Sequence, residues 1–133
     1  MHALSLAEWC VLIVALMPIV CAGIAKSGMF NKSPQEGGYD NALPREWLAR
    51  QTDWRARANA AQANCFEAMP FFIGAVIIAH LHGAQANAID ALAVLFVLFR
   101  VAYVYCYLSN RANLRSLCWI AALAVNIALL FLP

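Results

Sequence analysis

The stretch Ala91–Asn110, ALAVLFVLFRVAYVYCYLSN, decides how the rest of the chain is read. It holds one charge, Arg100, near its middle. A hydrocarbon core about 30 Å thick takes roughly 20 helical residues, so the length fits a membrane span. A soluble helix of that length keeps a polar face, whereas here Val, Leu, Phe and Tyr run all the way round. An arginine at the centre of such a span is costly unless something pairs with it. The reading therefore asks two things of the remaining sequence: further spans, and polar company for Arg100.

Three more stretches pass the same length test: Trp9–Ala25 with Ala3–Glu8 in front of it, Ala68–Ile89 with its histidines neutral, and Ser116–Pro133. Composition agrees. Of 133 residues, 64% are hydrophobic and 12% charged, against about 45–50% and about 25% in soluble domains. A soluble domain this short has too little interior to hide such an excess. A disordered chain is excluded by the same figures, and a net charge of +2 leaves too little basic surface to neutralise a run of phosphates. The expectation is one integral membrane domain over residues 1–133, an all-α bundle of four transmembrane helices. The first span is read as retained rather than as a signal peptide. A signal peptide carries its charge ahead of the apolar run, and here His2 alone precedes it while Lys26 and Lys32 follow.

The basic residues orient the bundle. Lys26, Lys32, Arg45, Arg50, Arg55 and Arg57 lie between the first and second spans, and Arg111 and Arg115 between the third and fourth. The positive-inside rule makes both loops cytoplasmic and turns both termini away from the cytoplasm. Gly37-Gly38 marks a turn in the first loop. Pro44 suits the first turn of a helix with Asn41 as its cap, and that helix is expected to run on through Arg55–Asn64 into the membrane. Pro18 and Pro70 fall inside spans, where lipid tolerates them. Trp9, Trp54 and Trp119 are expected at the interfaces, and Trp47 on the cytoplasmic extension of the second helix. His80 and His82 are read as interface residues, since a spacing of two does not converge on a metal. The five cysteines, Cys10, Cys21, Cys65, Cys106 and Cys118, read as small core residues. Asn126, isolated in the last span, is expected to make an interhelical hydrogen bond.

Two helices carry polar groups in order. Arg57, Asn64 and Glu67 fall on one face at 100° per residue, as do Arg100, Tyr103 and Tyr107. A rise of about 1.5 Å per residue puts Glu67 roughly 14 Å and Arg100 about 15 Å from the cytoplasmic side. The two can meet at one level, with Asn64 beside Tyr103 a turn nearer the cytoplasm and Arg57 and Tyr107 at the mouth. Such a column either fixes helix register or forms a polar cleft for a charged small molecule.

The run Arg57-Ala58-Asn59-Ala60-Ala61-Gln62-Ala63-Asn64-Cys65-Phe66-Glu67, followed by Pro70-Phe71, resembles the signature of the MAPEG family, the membrane-associated proteins in eicosanoid and glutathione metabolism. Arg100-Val101-Ala102-Tyr103, Tyr107-Leu108 and Arg115-Ser116 match a second part of it, and the likeness, to a bacterial-type member, covers essentially the whole chain. The resemblance implies a left-handed bundle that assembles as a homotrimer, with glutathione as co-substrate in clefts between subunits. It makes Arg57, Asn64, Glu67, Arg100, Tyr103, Tyr107 and Arg115 candidate glutathione contacts; of these, Arg115 with Tyr103 or Tyr107 is expected to activate the thiol, since a guanidinium or a tyrosine hydroxyl beside the sulfur favours the thiolate. The implied activity is a glutathione transferase or peroxidase acting on lipophilic electrophiles that arrive through the bilayer.

Many members carry a second arginine just before the Ala-x-x-Asn segment, where this chain has Ala60. The alternative is accordingly a non-catalytic membrane protein that keeps the fold and binds another small anion. A third reading, an ion-coupled transporter using Glu67 and Arg100, is disfavoured by four helices with no inverted repeat.

Overall fold

The computed structural model describes residues 3–133; Met1 and His2, including the histidine that precedes the first span, lie outside them. The described chain forms five α-helices: α1 (Leu6–Lys26), α2 (Pro44–Ala49), α3 (Asp53–Leu81), α4 (Ala86–Leu108) and α5 (Ala112–Leu130), with a single 3-10 turn at Pro34–Glu36. No strand occurs among the described residues. Helices α1, α3, α4 and α5 are long and apolar enough to cross a membrane, so the expected four-span, all-helical bundle is what the chain forms.

The boundaries depart from expectation in two places. The turn between the second and third spans falls at His82–Gln85, at the loop read near His82-Gly83, but α4 already opens at Ala86, so Asp90 lies inside it rather than between the apolar runs. Gly83 adopts φ 76°, and the Ala84 N–H reaches back to the Ala79 carbonyl at 3.1 Å, a Schellman stop. The second departure is that no unbroken helix runs from Pro44 into the membrane. Pro44 does open a helix, but the cap position is Leu43 rather than Asn41 and makes no side-chain bond. α2 ends at Ala49, and α3 begins afresh at Asp53 with φ 54°, a left-handed geometry that aspartate tolerates better than most residues. The break has a packing cause. Trp47 and Leu48 are buried in one cluster with Ala25 and Ala58, whereas on a continuous helix Trp47 and Ala58 would stand about 16 Å apart. Trp47 thus packs at the cytoplasmic end of the bundle as expected, by way of a separate helix.

Three long-range clamps tie helix ends together. The Asp90 carboxylate accepts the Ala7 N–H at 2.8 Å, adding a second anion to an α1 terminus already closed by a Ser5–Glu8 capping box. At the opposite end, Arg55 Nη1 donates to the carbonyls of Ala25 (2.7 Å) and Ser27 (2.8 Å). Arg57 Nε donates to the Leu108 carbonyl at 3.2 Å. Each arginine so meets the negative end of a neighbouring helix. These contacts put the end of α1, the start of α3 and the end of α4 together, so both basic segments share one face of the bundle.

Between the helices the contacts are small. Ala7, Ala25, Ala58, Ala61, Ala75, Ala79 and Ala93 are buried at helix faces, which lets backbones approach closely in lipid, where dispersion rather than water exclusion holds helices together. Phe72 of α3 stacks flat on Phe96 of α4, with ring centroids 4.2 Å apart and planes 5° from parallel. The large side chains Ile19, Val20, Leu98, Leu117 and Ile120 point outward.

Asp90→Ala removes a carboxylate from a helix N-terminus and leaves the Ala7 N–H without that acceptor. It is expected to lower stability by about 1–2 kcal/mol, and Ser5→Ala by about 1 kcal/mol, in unfolding titrations in mixed micelles. Equal stability of Asp90→Ala and wild type would remove this clamp from the account.

Candidate functional site

Three stripes face a common space. From α3 come Asn64, Glu67, Ala68 and Phe71, from α4 Phe96 and Arg100, and from α5 Trp119, Ala122, Leu123 and Asn126. Counted from Asn64, Phe96 and Trp119, the spacings are three, four or seven, so the side chains of one stripe share a face. Together they line a cavity of about 320 Å³. A second hollow of about 430 Å³, lined by Asn64, Tyr103, Arg115, Ser116, Trp119 and Ile120, shares Asn64 and Trp119 with the first. The two hollows adjoin at these residues, the second lying nearer the basic end of the bundle.

Arg100 organises the polar part. Its side chain is 2% exposed, and its Nη2 donates to Asn64 Oδ1 at 2.9 Å and lies 3.7 Å from Cys65 Sγ. The guanidinium also sits 4.3 Å from the centre of the Tyr103 ring, a cation–π contact strengthened by the lack of water. Asn64 Nδ2 in turn donates to Glu67 Oε2 at 3.1 Å. Glu67 and Arg100 therefore face one hollow, as their depths suggested, but asparagine joins them instead of a direct ion pair. The relay follows from reach: Asn64 is one turn from Glu67 on α3 and offers an acceptor to one partner and a donor to the other.

Outward from Arg100 the contacts continue as a ladder. Tyr103 meets Tyr107 edge-on at 5.7 Å, and the Arg115 guanidinium lies 4.4 Å from the Tyr107 ring centre. Cation, ring, ring and cation thus run from the buried level toward the basic end of the bundle. Of the residues singled out from the sequence, Asn64, Glu67 and Arg100 line the inner cavity, Asn64, Tyr103 and Arg115 line the outer hollow, and Tyr107 backs the latter. Arg57 stands apart: its Nε is engaged by the Leu108 carbonyl, and it lines neither hollow.

The α5 wall was not read from the sequence as part of this space. Trp119, expected in an interfacial belt, lines both hollows, and Leu123 and Asn126 lie deeper on the same face. The signal was present, since Arg115, Trp119, Ala122 and Asn126 are spaced four, three and four apart. The expectation that Asn126 bonds to another helix is overturned. Its side chain is 3% exposed and its Oδ1 is buried without a hydrogen-bond partner, because the wall around it is built from Phe71, Phe96, Ala122 and Leu123, none with a side-chain donor. His80 lies near the far end of α3, where its Nδ1 is 2.8 Å from the Val76 carbonyl.

Comparison with protein-family models gives a match described as the MAPEG family over residues 6–133, essentially the whole chain. Comparison with curated proteins and with solved structures gives no match.

Asn64→Leu leaves a buried guanidinium without its closest acceptor and is expected to cost about 1.5–3 kcal/mol in micelle unfolding titrations. Glu67→Gln keeps an acceptor for Asn64 and is expected to cost under about 1 kcal/mol. The reverse order would show that Asn64 is not the link.

Proposed function

The chain belongs to the MAPEG family of membrane proteins, and from that footing we propose that it binds glutathione in the hollow between α3, α4 and α5 and uses it on lipophilic electrophiles or lipid hydroperoxides. The observation that carries the reading is the Arg100–Asn64–Glu67 relay facing a cavity at the level of the bilayer interior. Intramembrane polar contacts are worth well under 1 kcal/mol on average, so stability alone is a poor reason for such a column.

The donor set suits the ligand. Glutathione has two carboxylates, one ammonium and one thiol. The two hollows offer two guanidiniums, Arg100 and Arg115, one carboxylate, Glu67, an amide, Asn64, and the Tyr103 hydroxyl. Arginine forks match carboxylates, Glu67 can accept from an ammonium, and Asn64 can meet a peptide group. Once bound, glutathione supplies the nucleophile, its thiolate. A free thiol with pKa near 8.5 is about 3% ionised at pH 7, and a lowering of two units takes about 2.7 kcal/mol. Arg115 and the Tyr103 hydroxyl, with Tyr107 behind them, can give that much by placing positive charge and a donor beside the sulfur in a water-poor site.

A second reading has its own support. Ala60 stands where many relatives carry arginine, and Arg57 is engaged by the Leu108 carbonyl. A protein with fewer anchors fits a non-catalytic role in which the same hollow takes a smaller anion. Assembly as a homotrimer, with ligands between subunits, belongs to the main reading. On the single chain Glu67 is exposed at the depth where lipid would leave its carboxylate unsolvated, and a neighbouring subunit would cover it. The positive-inside rule orients the basic face toward the cytoplasm and both termini away from it.

Calorimetry on detergent-purified protein tests the site. Glutathione is expected to bind, and Glu67→Gln and Arg115→Leu each to weaken it about tenfold. No heat at millimolar glutathione favours the non-catalytic reading, and affinity unchanged in both variants overturns the location. Thiolate absorbance of the bound complex tests activation: Arg115→Leu and Tyr103→Phe are expected to lower it at pH 7. Absorbance that persists in both, and in Tyr107→Phe, removes these residues as activators.

A further inference from the structure

Asn126 is the one polar side chain at the inner, aromatic end of the cavity. It lies on α5, eleven residues or about 16 Å along the helix from Arg115, beyond the level of the outer hollow. The neighbours it shares the cavity with there are Phe71, Phe96, Ala122 and Leu123. A carbonyl oxygen buried without a hydrogen bond, as Asn126 Oδ1 is, is destabilising, and on the chain its side chain is 3% exposed and lines the cavity. A partner can reach it by way of the cavity.

We propose that this inner end is a second binding site, for an apolar molecule bearing one neutral oxygen function, a carbonyl or a hydroxyl-type O–H, which the Asn126 amide holds. The class follows from the lining. Phe71, Phe96 and Leu123 favour a hydrocarbon or aryl body. A side-chain amide presents a donor or an acceptor by rotation about its broad terminal torsion. No charged group accompanies Asn126 at this end, whereas Arg100 and Glu67 stand at the other end of the same hollow. A molecule seated there lies alongside the polar column, with its polar atom directed to α5. That this molecule is the acceptor for the glutathione thiol rests on the function proposed above; that the inner end binds it does not.

Binding of 1-naphthol, 1-acetylnaphthalene and 1-ethylnaphthalene to nanodisc-embedded protein, corrected with empty nanodiscs and without glutathione, tests the site. Asn126→Leu is expected to weaken binding of 1-naphthol or 1-acetylnaphthalene about tenfold, the worth of one hydrogen bond. It should leave 1-ethylnaphthalene unchanged and should not lower the thermal midpoint, since it removes an unpaired polar group. Which of the two oxygenated probes responds tells whether Asn126 acts as acceptor or donor. Leu123→Trp, which fills the same end, is expected to abolish binding of all three probes. Three results overturn the proposal: equal affinity of wild type and Asn126→Leu for both oxygenated probes, as when a water alone occupies the amide; a thermal midpoint lowered by Asn126→Leu; or full binding in Leu123→Trp. Failure of glutathione to bind in calorimetry, with Asn126-dependent naphthol binding intact, would overturn the function proposed above and leave this site standing.

Discussion

Arg100 carries a guanidinium into a span that is otherwise hydrocarbon, and a charge at that depth costs on the order of 3 kcal/mol on insertion scales unless it is covered. Its cover comes from Asn64 and Cys65 of α3 and from the face of Tyr103 one turn along its own helix. That requirement sets the register of α3 against α4, because one helical turn of slippage would take the Asn64 acceptor about 5 Å away. The flat Phe72–Phe96 stack below it and the Arg57–Leu108 clamp above it agree with the same register. The polar level and the apolar levels on either side thus specify one arrangement of the two helices.

With that register fixed, α5 closes the space that Arg100 faces. The result is a hollow with Arg100, Asn64 and Glu67 at one end and aromatic walls with the lone Asn126 amide at the other. Under the function proposed above, such a division lets a water-soluble peptide thiol and a lipid-soluble partner each meet a lining like the solvent it leaves. The cation–ring ladder links Arg100, on the lining of that hollow, to Arg115, nearer the basic end of the bundle.

Much of this was legible in the chain. The four spans follow from length and composition, because a bilayer imposes a simple rule on both. The Glu67 and Arg100 levels follow from counting residues inward from two ends. What resisted reading was set by contacts between distant segments. Asp90, which carries no signal in the sequence, meets the start of α1 because helix packing brings it to Ala7. Arg57, on the same face as Asn64, is diverted by the exposed carbonyl of Leu108. The separate α2 arises because Trp47 finds burial against Ala25 and Ala58, which no local propensity encodes. The α5 stripe was present as a pattern, but Leu123 and Ala122 read as ordinary lipid or core residues until a cavity gives their face a meaning.

The buried alanines also bear on how such a chain can drift over generations. A methyl added at the fully buried Ala58, Ala61 or Ala93 crowds a close helix approach, whereas the outward Ile19, Leu98 or Leu117 meet no such constraint within the chain. The interior of the bundle is therefore where ancestry is written, in its smallest letters, and the outer surface is free to lose all memory of it.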